Sequence, residues 1–200
     1  MVTLTKSRIE ALSDGVFSIA MTLLVLKLEI PEVMHHHNNE DMLQQMLALT
    51  PQFITYVVTF LIAGGFWFLH HLTFHFVRHV NAFLIWVNLI LLMFVSLLPF
   101  SAGLMSHLFV HPVSQLFYFG NHLAIALLLA LHWGYTRRAN LLIDTEHASA
   151  ARMGFRIWHA AAAFAGTIIV GAMFPMYCWT ALPVVLMAGW IVEWRAFRRR

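Results

Sequence analysis

Charged residues are scarce in this chain: only 10% of its 200 residues are Asp, Glu, Lys or Arg, while 60% are hydrophobic. A soluble domain carries about 25% charged residues, because its surface must be solvated. The scarcity therefore excludes an ordinary soluble domain and indicates an integral membrane protein. The basic residues lie at the ends of apolar segments, so the net charge of +3 does not indicate nucleic-acid binding.

Several motifs that would define a function are also missing. Cys178 is the single cysteine, which excludes an intrachain disulfide, and no Cys-x-x-Cys-His sequence is available to attach haem. The sequence lacks the TVGYG loop that builds a filter from backbone carbonyls. The chain does not open with a basic segment, a short apolar core and a small-residue cleavage site, so we expect the first apolar segment to be retained.

Six apolar segments are each long enough to cross a hydrocarbon core, and they predict an all-α fold. The predicted spans are residues 10–30, 52–77, 82–106, 114–136, 154–174 and 177–196. No linker or internal duplication separates them, so we expect a single six-helix transmembrane domain over residues 1–200. Pro99 and Pro183 fall inside two spans and predict kinks or local unwinding there.

Lysine and arginine are distributed unevenly between the two sides of these spans. They precede the first span, follow the second at Arg78, fill the connection after the fourth, and end the chain. Because basic residues favour the cytoplasmic side, both termini are predicted to be cytoplasmic. The opposite connection, 32–50, is acidic, and its MLQQML stretch predicts a short helix at the membrane surface.

Polar residues in the first three spans are predicted to share one depth. Asp14 lies about two turns after the N-terminal basic residues, His70 and His71 about two turns before Arg78, and Asn88 about two turns into the third span. We therefore expect Asp14, one of the histidines and Asn88 to satisfy one another's hydrogen bonds. The residues alone leave two roles open, a link between helices or direct contact with a permeating ion.

The first span also carries an apolar stripe. Ile19, Leu23 and Leu26 fall on one face of a helix, with Thr22 beside them and Ser18 extending the polar edge. Such a stripe either packs in the core of a helix bundle or lines a pore, and periodicity does not distinguish the two. In a pore, a ring of large apolar side chains would act as a gate by excluding water.

The start of the first span carries the most specific motif of the chain. It resembles the bacterial relatives of the lysosomal potassium channel transmembrane protein 175, whose first helix carries Arg-x-x-x-Phe-Ser-Asp. The matching residues are Arg8, Leu12, Ser13 and Asp14, with leucine in place of the family's phenylalanine. Residues 65–74 and 88–104 resemble the second and third helices of that family, including Pro99 and Phe100.

This resemblance implies a potassium-permeable cation channel rather than an enzyme, in a bacterial inner (plasma) membrane. The family builds its eukaryotic members from two six-helix units and its bacterial members from one, so a homotetramer around a central pore is implied. The partners implied are potassium ions, lipid and further copies of the chain, without cofactor, metal or nucleic acid.

The resemblance also assigns residues to roles. The implied constriction is formed by Ile19, Leu23 and Leu26, and the implied ring of hydroxyls by Thr22, which Ser18 extends. The signature ties the pore helix to its neighbours in a network of Arg8, Ser13, Asp14, His70, His71 and Asn88.

Thirteen histidines keep other functions open. His35, His36 and His37 could catch zinc adventitiously, but their spacing does not define a metal site. Two facing helical histidines could bracket a haem and make the protein a membrane cytochrome. A proton-conducting protein or proton-coupled transporter is the other alternative, because Asp14 with a nearby histidine could relay protons. The spans lack the paired broken helices of inverted-repeat transporters.

Overall fold

The structure, a computed structural model, describes residues 5–29, 39–109, 111–143 and 147–177, with a few positions between 182 and 191. The described part is almost entirely helical, which confirms the predicted all-α class. Its helices are α1 (Lys6–Leu23), α2 (Asn39–Ala48), α3 (Thr50–Phe76), α4 (Ala82–Ser96), α5 (Leu98–His107), α6 (Pro112–Arg138) and α7 (His147–Met173). Two 3₁₀ turns follow α1 and α7, at Leu24–Lys27 and Pro175–Tyr177. The MLQQML stretch lies in α2.

Five helical segments of the described residues are long and apolar enough to cross a membrane. They are Lys6–Lys27, Thr50–Phe76, Ala82–His107, Pro112–Arg138 and Ala150–Met173. These segments correspond to the first five predicted spans, with ends that differ by a few residues. The predicted sixth span, 177–196, lies largely outside the described residues.

The helix of the third span is interrupted at Leu97, just before Pro99, in agreement with the position of that proline. The span is divided into α4 and α5, which meet at Leu97. Proline has no N–H to donate to the preceding turn, and its ring collides with the carbonyl four residues back, so a straight helix cannot continue. The helix restarts where the Ser101 N–H donates to the Leu97 carbonyl at 2.9 Å. The predicted kink at Pro183 falls where only scattered positions are described.

α6 is the most central helix of the described bundle. It packs against α4, α5 and α7, while α1 packs against α3 and α4. The residues of α6 that recur every three or four positions are buried, among them Tyr118, Ile125, Leu129 and Trp133. This helix therefore supplies the core against which the other spans assemble.

Two connections predicted to lie on the cytoplasmic side are joined by backbone hydrogen bonds. The Arg78 N–H donates to the Leu141 carbonyl at 2.7 Å, and the Ile143 N–H donates to the Phe76 carbonyl at 2.9 Å. α6 ends at Arg138, and Asn140, just after it, has a left-handed backbone (φ 52°) that asparagine tolerates beyond a helix end. The basic connections after the second and fourth spans thus lie at one end of the bundle.

Candidate functional site

One face of α1 is anchored in the bundle. Its buried side chains recur every three or four residues, as expected of a helix packed along one side. They are Ile9, Ser13, Phe17, Ala20 and, in the following 3₁₀ turn, Leu24. Because α3 and α4 cover this face, the position and rotation of α1 are fixed by the bundle.

The other face of α1 carries the predicted apolar stripe, and it is exposed. Ile19 is 59% exposed, Leu23 42% and Leu26 69%, while Thr22 and Ser18 are exposed beside them. Within a single chain this stripe therefore lies outside the hydrophobic core.

The two hydroxyls on this face are oriented by the helix backbone. Thr22 Oγ1 donates to the carbonyls of Ser18 at 3.0 Å and Ile19 at 2.9 Å, and Ser18 Oγ donates to the Gly15 carbonyl at 2.9 Å. A hydroxyl has one hydrogen and two lone pairs. Because the hydrogen is directed to the backbone, the oxygen offers its lone pairs to a cation or water that approaches this face.

The first span ends differently from the continuous helix predicted to residue 30. The α-helix stops at Leu23 and winds into a 3₁₀ turn, in which side chains three residues apart lie above one another. Contacts with other spans hold this end. The Glu29 N–H donates to Gln52 Oε1 at 3.0 Å, and the Lys27 stem lies over Gly103, where a Cβ would come within 3.2 Å of it.

A buried hydrogen-bonded network joins α1 to α3 and α4. Asn88 Nδ2 donates to Ser13 Oγ at 3.1 Å, and Ser13 Oγ lies 2.8 Å from the Ile9 carbonyl. His70 Nε2 lies 2.8 Å from Asn88 Oδ1, an acceptor, so Nε2 carries the proton. Ser13, His70 and Asn88 are all buried, so their mutual bonds avoid a large desolvation cost.

Asp14 is placed outside this buried network. It is exposed, and its Oδ1 accepts a hydrogen bond from Trp67 Nε1 at 2.8 Å. His71 stacks on the Trp67 ring with centroids 5.7 Å apart. Arg8 is also exposed. The adjacent histidines are therefore separated: His70 meets Asn88 and Ser13, whereas His71 lies with Trp67 and Asp14.

Trp67 was missed by sequence reasoning. Its indole N–H is a single donor that requires an acceptor when the ring is packed against a helix. The sequence did carry a signal, because Trp67 lies one helical turn before His71 in the segment that resembles the family's second helix.

A second polar cluster, also missed, lies on α6. Tyr118 Oη and Thr59 Oγ1 are 2.8 Å apart, and His122 Nδ1 donates to the Tyr118 carbonyl at 2.7 Å. Asn121 Nδ2 donates to Ser101 Oγ at 3.4 Å. In the part of the chain that the structure describes, no group of three or more His, Cys, Asp or Glu is arranged to hold a metal ion. His35, His36 and His37 lie outside that part.

Comparison with known proteins identifies the family of this chain. The family model described as the endosomal/lysosomal potassium channel TMEM175 matches residues 8–99, which include the α1 stripe and the buried network. A potassium channel from Chamaesiphon minutus is 37% identical over 142 residues, covering 68% of this chain and 68% of that protein. The chain belongs to the TMEM175 family.

The fold agrees with this membership. The crystal structure of a lysosomal potassium-selective channel TMEM175 homologue from Chamaesiphon minutus matches with a TM-score of 0.76 at 25% identity. The match covers 94% of this chain and 97% of that one. The mouse endosomal/lysosomal proton channel TMEM175 is 35% identical over 101 residues, which is 48% of this chain but 20% of the mouse protein.

Membership in the TMEM175 family decides between the classes of protein that the histidines left open. The family consists of ion channels, which confirms that the chain is not an enzyme and rules out the membrane cytochrome. The chain is a multi-pass membrane protein, in agreement with its five apolar spans.

Proposed function

We propose that this TMEM175 protein is a potassium-permeable cation channel whose α1 helices line a central pore. The observation that carries the proposal is the division of α1 into two faces. One face is buried in the bundle, and the other presents Ile19, Leu23 and Leu26 as an exposed apolar stripe with hydroxyls at its edge. The potassium channel from Chamaesiphon minutus supports the choice of ion.

A homotetramer completes the pore in this proposal. One α1 helix per chain cannot surround a path for ions, so copies of the chain must supply the other walls. Closed cyclic symmetry repeats the same α1 face around the axis. Each position on the stripe then becomes a ring, and the exposed apolar surface of a single chain is covered in the assembly.

The rings would act on ions in two ways. A ring of Ile19 side chains is narrow and dry, so it opposes the passage of hydrated ions until it widens or the ions lose water. Thr22 and Ser18 oxygens, whose hydrogens are held by the backbone, would replace part of a cation's hydration shell. Without a TVGYG loop, we expect selectivity to depend on the pore diameter and these hydroxyls, and therefore to be moderate.

The buried network would hold the pore helix in place. Ser13 is its member on α1, and Asn88 and His70 connect it to α4 and α3. Interhelical hydrogen bonds of this kind link spans where no water is available to replace them. Arg8, Asp14 and His71 complete the signature group on the exposed side, with Trp67 as the partner of Asp14.

The proposed orientation places both termini in the cytoplasm and the 32–50 loop outside a bacterial plasma membrane. Arg78 and the arginines after the fourth span support it, because basic residues are retained on the cytoplasmic side. Ile19 would then be the innermost apolar ring, and Leu23 and Leu26 would lie above it toward the outside.

The decisive experiment is ion flux through the purified protein in liposomes. We expect a potassium flux that follows the potassium gradient and exceeds the sodium flux measured under the same conditions. A preparation of assembled protein that carries neither ion would contradict the proposal.

Proton permeation is the second candidate, favoured by the mouse relative that is named a proton channel. In the same liposomes, an imposed pH gradient without a potassium gradient separates the two activities. A flux that follows only the pH gradient would favour proton conduction over potassium conduction.

A further inference from the structure

His132 on α6 is a buried histidine that the network described above does not include. It is 1% exposed, and neither of its ring nitrogens has a hydrogen-bond partner among the described residues. An imidazole always has at least one N–H to donate, and when neutral it has one nitrogen to accept. Leaving such a group without a partner in a medium without water carries a large desolvation cost.

The ring of His132 lies close to the network. Its centroid is 6.5 Å from that of His70, and Phe74 flanks both rings at 4.9 Å and 4.7 Å. At this separation the two imidazoles are too far apart for a direct hydrogen bond in any ring orientation. Two hydrogen bonds of about 2.9 Å span up to about 6 Å, so one water molecule is large enough to bridge nitrogens of the two rings.

We propose that a buried water molecule binds between His132 and His70 and extends the network to α6. Buried waters typically bind polar atoms that protein groups leave without a partner. The connected groups then run from His132 through the water to His70, Asn88 and Ser13, so that α6, α3, α4 and α1 share one hydrogen-bonded layer. His132 is a positioning residue in this layer, because it acts on the pore helix only through the others.

The direction in which His132→Phe changes the apparent Tm distinguishes a hydrated His132 from a dry one. If the ring nitrogens are dry, His132→Phe removes an unsatisfied polar group and leaves stability unchanged or raised. If a water links the ring to His70, the same change strands that water and lowers the apparent Tm by several degrees. His132→Gln keeps donors and an acceptor, so it should recover most of the loss.

A double-mutant cycle tests whether His132 belongs to the network rather than merely to the core. We expect the Tm changes of His132→Phe and Asn88→Leu to be strongly non-additive, because each variant breaks the same chain of bonds. His122→Phe is the matched control. It replaces a buried histidine on the same helix, about 15 Å along the axis, and its effect should add to that of Asn88→Leu.

A direct observation covers the case in which His132→Phe does not assemble. A structure of the unmodified protein at a resolution that shows ordered water should have density between the two rings. Dry rings, or an unchanged or raised Tm with additive cycles, would overturn the proposal.

The proposed water site does not depend on the proposed channel function. The expected effect of His132 on potassium flux does depend on it. At equal tetramer content, potassium flux should fall several-fold in His132→Phe and recover in His132→Gln. Equal fluxes in His132→Phe and the unmodified protein would refute the positioning role. Absence of flux in the unmodified protein would refute the channel function. The water site would still be tested by the double-mutant cycle in Tm and by the density between the two rings.

Discussion

Ile19 is the residue on which the proposed pore depends most. Ile19→Asn would replace a dry ring by a ring of amides that water can wet, so the barrier to ions should fall and potassium flux should rise severalfold. Flux is compared in liposomes that contain equal amounts of tetramer. Ile169→Asn on α7 is the matched control, since Ile169 is 62% exposed and Ile19 59%. Unchanged flux in a normally assembled Ile19→Asn protein would place α1 away from the pore.

Thr22 should affect discrimination between ions more than the total current. Thr22→Ala removes a hydroxyl whose oxygen is directed outward by bonds to the Ser18 and Ile19 carbonyls. We expect the potassium-to-sodium flux ratio to fall severalfold while potassium flux stays within about twofold, because hydroxyl rings stabilise partly dehydrated cations. Thr22→Ser keeps the hydroxyl and should keep the ratio. Equal ratios in all three proteins would exclude Thr22 as an ion ligand.

At the scale of helices, Asn88 is the residue that joins α1 to the bundle. Asn88→Ala would leave His70 Nε2 without its acceptor, although Ser13 would keep its bond to the Ile9 carbonyl, and an unsatisfied buried group costs about 1–3 kcal/mol. We expect a lower thermal stability and a lower yield of tetramer, measured by unfolding and by size-exclusion chromatography. Ser96→Ala is the control, because Ser96 is on the same helix and donates only locally to the Met93 carbonyl. Equal losses in the two variants would argue against the network.

The sequence predicted the helices better than it predicted the side-chain contacts between them. Periodicity located the exposed stripe of α1, and a proline located the break between α4 and α5, since both depend on local chemistry. The sequence did not show which of His70 and His71 meets Asn88, because the two histidines are adjacent and equally polar. Only the rotation of α3 decides that His70 meets Asn88, and that rotation is set by packing along the whole span. The early end of α1 also escaped prediction, because Gln52 and Gly103 hold it from other helices.

At the scale of the whole molecule, topology is the simplest test of the proposed orientation. The connections after α3 and α6 are joined by the backbone bonds of Arg78 and Ile143, so they must lie on the same side. Protease added outside sealed cells should cut the 32–50 loop and leave the C-terminal arginines intact. Permeabilised cells provide the control, in which the tail becomes accessible. Cleavage of the tail in sealed cells would invert the proposed orientation.

The assembly is the property that a single chain reveals least. Composition identifies a membrane protein, and lysine and arginine predict its orientation, because both depend on each chain separately. The number of copies around the proposed axis depends on contacts between chains, which the residues of one chain encode only as exposed apolar surface. For that reason the proposed homotetramer rests on the family resemblance and not on periodicity.

The 3₁₀ turn at Leu24–Lys27 affects the length of the apolar stripe of α1, independently of which side chains the stripe carries. Each residue in such a turn advances about 2.0 Å along the axis instead of about 1.5 Å, so the turn lengthens the apolar stripe by about 2 Å. In the proposed pore, the work of keeping water out increases with the length of the dry stretch. Winding this single turn more or less tightly would therefore alter leakage through the closed channel while the width of every ring stayed the same.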